Sequence, residues 1–129
     1  MESKGEKQIA KILRNTGIRF EREKIFSDIR NKYRFDFYIP SLKVCLEYNG
    51  QQHYEFTSHF YKNRSEFTKA KERDRRKVSY CLSHQIKLYC IPYWELNNLH
   101  TFEDLTQEKF HAHTKFHNDE AYRNQKNEI

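Results

Sequence analysis

Two carboxylates, Asp36 and Glu47, stand inside RFDFYIPSLKVCLEYNGQQHY, residues 34–54, a stretch otherwise built for strands, and His53 lies just beyond them. The run alternates with period two: Arg34, Asp36 and Tyr38 fall on one face, and Tyr33, Phe35, Phe37 and Ile39 on the other. If the strands join across a tight turn near Ser41 and Leu42, Asp36 lies opposite Glu47; a register shifted by two makes them diagonal neighbours, still on the same face. Facing carboxylates repel. A shared proton, a bridging cation, or a wet face neutralised by Arg34 and Lys43 each resolve the repulsion. The cation has chemical consequences, because hard carboxylate oxygens suit Mg²⁺, and an ion so held can grip phosphate oxygens. A histidine beside it titrates near working pH and suits a general base or acid.

Two further acids occupy apolar stripes. Glu6 heads the i, i+3, i+4, i+7 set of Ile9, Ala10 and Leu13, and it also has the capping-box spacing from Ser3. Asp74 sits amid Phe67, Ala70, Val78, Cys81 and Leu82 at helical spacing. A lone acid in such a stripe is costly unless paired or bound to metal. An ion pair with Arg73 or Arg76 answers the cost but not the inward direction. Three separate elements thus direct acids inward.

Charge points to the same class of partner. The net charge is +6 and the pI about 9.2. Lys62, Arg64, Lys69, Lys71, Arg73, Arg75, Arg76 and Lys77 face only Glu66, Glu72 and Asp74 in one segment. Such a helix is either a solvated face or a surface for phosphates, with Lys69, Lys71, Arg73, Arg75 and Arg76 as the contacts. Cys45, Cys81 and Cys90 are widely spaced and read as reduced, buried thiols, not as a zinc site. His113 and His117 in the tail have the spacing of a helical chelate, a weaker candidate. No run of apolar residues is long enough for a membrane span, and no secretory signal opens the chain, so a cytoplasmic protein is expected.

These side chains need a scaffold. Residues 3–15 read as a helix stopped at Gly17, residues 19–26 as a short edge strand, and residues 33–39 and 43–48 as a hairpin. A turn follows at Asn49 and Gly50, then a long helix over residues 65–83 and an apolar strand stopped by Pro92. Thr101 and Asp104 cap a last helix. The 129 residues suit one α/β domain over 1–108, a mixed sheet flanked by helices, with a polar tail over 109–129, helical or frayed.

Glu6, RFDFYIP, LEYNGQQH and KERDRRK, with a following strand that ends in PYWE, together resemble the PD-(D/E)XK nuclease superfamily. The likeness is to its branch of very-short-patch repair endonucleases and EDxHD homing endonucleases, and it covers roughly residues 3–96. The resemblance implies a restriction-endonuclease-like sheet and Mg²⁺- or Mn²⁺-dependent cleavage of DNA phosphodiesters. Asp36 would be the central metal-binding acid, Glu47 the second, His53 the motif histidine, Asp74 the late helical aspartate and Glu6 the first-helix acid. Asn49 stands where the wider superfamily has a lysine, so His53 takes the proton-transfer role. The zinc ligands of the repair enzymes and an appended DNA-reading domain are not evident. A nuclease-fold protein that binds nucleic acid or a host partner without cleaving is the rival reading. RNA as substrate and a homodimer both stay open.

Overall fold

The computed structural model describes residues 2–29, 32–55 and 61–112. Helix α1 (Lys4–Thr16) is followed by strands β1 (Glu21–Ile25), β2 (Arg34–Ile39) and β3 (Val44–Asn49). A 3-10 turn at Gln51–His53 leads on to helix α2 (Arg64–Ser83), strand β4 (Lys87–Pro92) and a short helix α3 (Phe102–Leu105). The four strands form one mixed sheet in the order β1-β2-β3-β4; the first two pairings are antiparallel and β3–β4 is parallel. The parallel pair needs a crossover, which α2 supplies.

Sequence signals set the ends of α1. Ser3 and Glu6 close a reciprocal capping box, and Gly17 takes the left-handed φ of 75° that ends the helix. Ile9, Ala10 and Leu13 are buried as their spacing predicts, with Ile12 beside them. They pack against Phe37, Ile39, Val44, Leu46, Tyr89 and Ile91 of the sheet. The other face of the sheet carries Phe35, Cys45, Leu88 and Cys90 against Cys81 of α2. All three cysteines are buried. Among the described residues no helix is long and apolar enough to cross a membrane.

The structure departs from the sequence pattern in three places. Phe35 does not share a core with Phe37 and Ile39; it belongs to the α2-side cluster, with Tyr33 packed partly against it. Strict alternation fails at Asp36, where the ladder is interrupted: the β1–β2 pairs skip Glu23 and Asp36, and Glu23 has a φ of 51°. In α2 the apolar stripe is narrower than its periodicity suggests. Leu82 is 70% exposed, and only Lys77 and Cys81 of this helix are buried. Packing also runs past residue 108. Phe110 lies in the α1-side core, Ala112 in the other, and His111 bridges Tyr89. His113, His117 and the rest of the tail lie outside the described residues.

Candidate active site

The hairpin brings Asp36 and Glu47 together as its register requires, since Phe37 pairs with Leu46 and Tyr38 with Cys45 immediately alongside. The contact is reciprocal. The Asp36 amide donates to Glu47 Oε2 at 2.7 Å, and the Tyr48 amide donates to Asp36 Oδ2 at 2.8 Å. Each acid thus satisfies a backbone donor that an ordinary ladder bond would otherwise take, which is why the strand pairing opens at this row. Burial, then the Glu47 charge, pushes Asp36 up to about 8. A carboxyl so placed holds a proton or a cation at neutral pH.

Lys77 is the residue that sequence reasoning missed as a member of the site. Counted among the cations of a basic helix, it instead points inward, is only 8% exposed, and bonds through Nζ to Glu47 Oε1. Its ammonium also donates to the Arg34 carbonyl at 2.5 Å and lies 4.8 Å above the Phe35 ring. Burial works to lower its pKa, but Glu47, Asp36 and Asp74 outweigh that, and the net direction is upward. Arg34 and Lys43 do not fill this role: Arg34 pairs with exposed Glu23 at 3.4 Å, and Lys43 is exposed. The signal was available: Lys77 falls three residues after Asp74, on the same side of the helix.

Asp74 and His53 form the second half of the site. His53 Nδ1 lies 3.2 Å from Asp74 Oδ2. Burial raises Asp74 to about 6, and burial, with help from Lys71 and Lys77, lowers His53 to about 3. The imidazole is therefore neutral over the working range, and a carboxylate at Nδ1 favours the proton there, leaving Nε2 unprotonated. A ring cluster seats it: Tyr54 stacks edge-on to His53 at 4.7 Å and meets Trp94 at 5.1 Å and Tyr93 at 6.1 Å.

Glu6 sits apart from this set. Its charge reaches Asp36, adding to the causes that raise it, but its oxygens are engaged by Ser3 and, at 3.6 Å, by Arg22. Among the described residues no three His, Cys, Asp or Glu side chains are placed to hold a metal together. What exists is a two-carboxylate pair. That donor set fits Mg²⁺ or Mn²⁺, since Mg²⁺ keeps several waters and is held by one or two carboxylates plus substrate phosphates. It does not fit a closed zinc or calcium cage.

The basic residues divide. Lys69 and Arg73 are exposed. Arg75 and Arg76 both reach Glu72, at 3.0 and 3.3 Å. Lys71 lies over the Tyr54 and Phe67 rings, 5.5 Å from each.

The fold has a counterpart among solved structures. The catalytic domain of the homing endonuclease I-Bth0305I superposes with a TM-score of 0.51 over 75% of this chain and 83% of that one, at 22% identity. The likeness is one of fold: a mixed four-stranded sheet flanked by helices, similar to a homing endonuclease catalytic domain. In sequence, the chain is 34% identical over 112 residues to uncharacterized protein 307L of Invertebrate iridescent virus 6, and 40% identical over 98 residues to uncharacterized protein 094L of Frog virus 3. Each match takes in 71% of this chain, which spans 57% and 63% of the lengths of those two relatives. No family model matches the sequence.

Proposed function

We propose that the chain is a Mg²⁺- or Mn²⁺-dependent endonuclease that hydrolyses DNA phosphodiesters, of the very-short-patch and EDxHD branch. The observation that carries the reading is the reciprocal Asp36–Glu47 pair, Glu47 buried and Asp36 half-buried, backed by the His53–Asp74 pair, on the fold of a homing endonuclease catalytic domain. Asp36 and Glu47 would hold the ion, with Glu6 binding it through water or directly; its chemistry would be to polarise the scissile phosphate and acidify a water. Neutral His53, oriented by Asp74, accepts the proton of the attacking water at Nε2. Lys77 neutralises Glu47 and offsets the charge that accumulates on the phosphate. Lys69, Lys71, Arg73, Arg75 and Arg76 contact flanking phosphates and fix position without reading sequence.

A non-cleaving nucleic-acid-binding module is the second reading, favoured by Lys77 already occupying Glu47. One experiment separates the two: incubation of the protein with supercoiled, linear and branched DNA, and with RNA, in Mg²⁺, Mn²⁺ or EDTA. The nuclease reading expects nicking that needs a divalent ion and disappears in Asp36→Ala while DNA binding persists. Binding without cleavage under every metal condition sinks it.

A further inference from the structure

The buried ammonium of Lys77 bears on how the site takes its metal. Glu47 has two oxygens: Oε2 receives the Asp36 amide and Oε1 receives Lys77. A full positive charge is thus anchored at the pair where a divalent ion would draw its ligands. It is held from three sides, by Glu47, the Arg34 carbonyl and the Phe35 ring, and only 8% of the residue is exposed. A side chain so fixed does not swing away at little cost. An arriving cation must share Glu47 with it and meet like-charge repulsion at near-contact distance. A phosphodiester delivered to the same place brings the negative charge that offsets this repulsion.

We propose that Lys77 is a positioning residue that makes divalent-ion binding conditional on nucleic acid: the resident ammonium weakens the ion's hold on Asp36 and Glu47 until a backbone phosphate arrives. The inference rests on the nuclease reading and goes beyond it, since a site of two acids alone would load metal whether or not nucleic acid is present. Coupling of this kind is reciprocal, so the ion strengthens nucleic-acid binding by the same factor.

The test is Mn²⁺ binding, by calorimetry and by electron paramagnetic resonance, to the full chain alone and with a hydrolysis-resistant phosphorothioate duplex, after subtraction of ion bound by the duplex. The wild type is expected to bind Mn²⁺ weakly alone and about tenfold more tightly with duplex. Lys77→Met is expected to bind Mn²⁺ alone about tenfold more tightly than the wild type and to gain little from duplex. Lys77→Arg, which keeps the charge, should retain the wild-type dependence. If Lys77→Met does not fold, Lys77→Gln, neutral but still able to donate to the Arg34 carbonyl, is read in its place. Equal Mn²⁺ affinity of the neutral variant and the wild type without duplex overturns the proposal, as does an equal gain from duplex in both. A wild type that takes up Mn²⁺ under neither condition removes the nuclease reading as well. Uptake that ignores residue 77 removes the coupling alone.

Discussion

Asp36 and Glu47 cross-brace the two strands that carry them, one accepting the Tyr48 amide and the other the Asp36 amide. The pair is therefore structural, and the nuclease reading makes it chemical as well, so a substitution must separate the two roles. Asp36→Asn keeps the volume and an oxygen for the Tyr48 amide while removing the ionisable group. It is expected to fold and melt within a few degrees of the wild type, yet to nick plasmid at least about a hundredfold more slowly. A nicking rate near wild type would take Asp36 out of the chemistry.

The pH dependence of stability follows from the same residues. Burial and Glu47 push Asp36 up to about 8, burial pushes Asp74 to about 6, and burial lowers His53 to about 3. The acids take up protons on folding. Their contribution is complete below the unfolded carboxyl pKa and is lost as pH rises through their folded values. His53 sheds its proton on folding, so its contribution is present above the unfolded imidazole pKa and is lost as pH falls. The opposing trends meet below about pH 6.5. From there to about pH 8, Asp36 dominates the exchange, and stability in EDTA should fall by roughly 1–2 kcal/mol. Urea titrations across that window should show the decline in the wild type and a flat profile in Asp36→Asn. A flat wild type would mean that Asp36 is already ionised in the folded protein.

The fold was legible because its signals are local. The capping box of Ser3 and Glu6, the stop at Gly17, the turn before Lys43 and the alternation of β3 each act within a few residues, and together they set the register that faces Asp36 to Glu47. What escaped depended on contacts distant in sequence. Lys77 reads as one more cation of a basic helix until β3 places Glu47 beside it, thirty positions away. Phe35 reads as a partner of Phe37 until the side chains of the acid pair take over the amides around it. Leu82 counts as core by periodicity, but α2 turns only a thin edge to the sheet. The hydrogen bonds of the acid pair override period at Phe35, and the shallow packing of α2 overrides it at Leu82.

Gly5 offers a check on how α1 seats against the site. Replacing a helical glycine by alanine ordinarily stabilises by about 0.5–1 kcal/mol. Here a Cβ would strike the ring of Tyr48, the residue whose amide braces Asp36. Gly5→Ala is expected to reverse the usual sign, lowering the denaturation midpoint, and to slow any cleavage that depends on Asp36. A stabilised Gly5→Ala would show that Tyr48 yields freely and that this contact does not position the acids.

The basic face of α2 makes opposite predictions for its members. Lys69 and Arg73 are exposed, whereas the guanidinium groups of Arg75 and Arg76 already converge on Glu72. Both pairs are exposed and therefore weak, so Glu72 tempers the local field more than it fixes geometry. Removing it should release two cations to phosphate. Glu72→Ala is expected to tighten binding to a DNA duplex several-fold in fluorescence anisotropy and to steepen its salt dependence. The Lys69→Ala, Arg73→Ala double variant should weaken binding and reduce the slope of log affinity against log salt by about 1.8, one counterion per lost contact at about 0.9 each. An unchanged slope in the double variant would show that nucleic acid approaches by another face, and the phosphate role of α2 would then fall even if cleavage itself were observed.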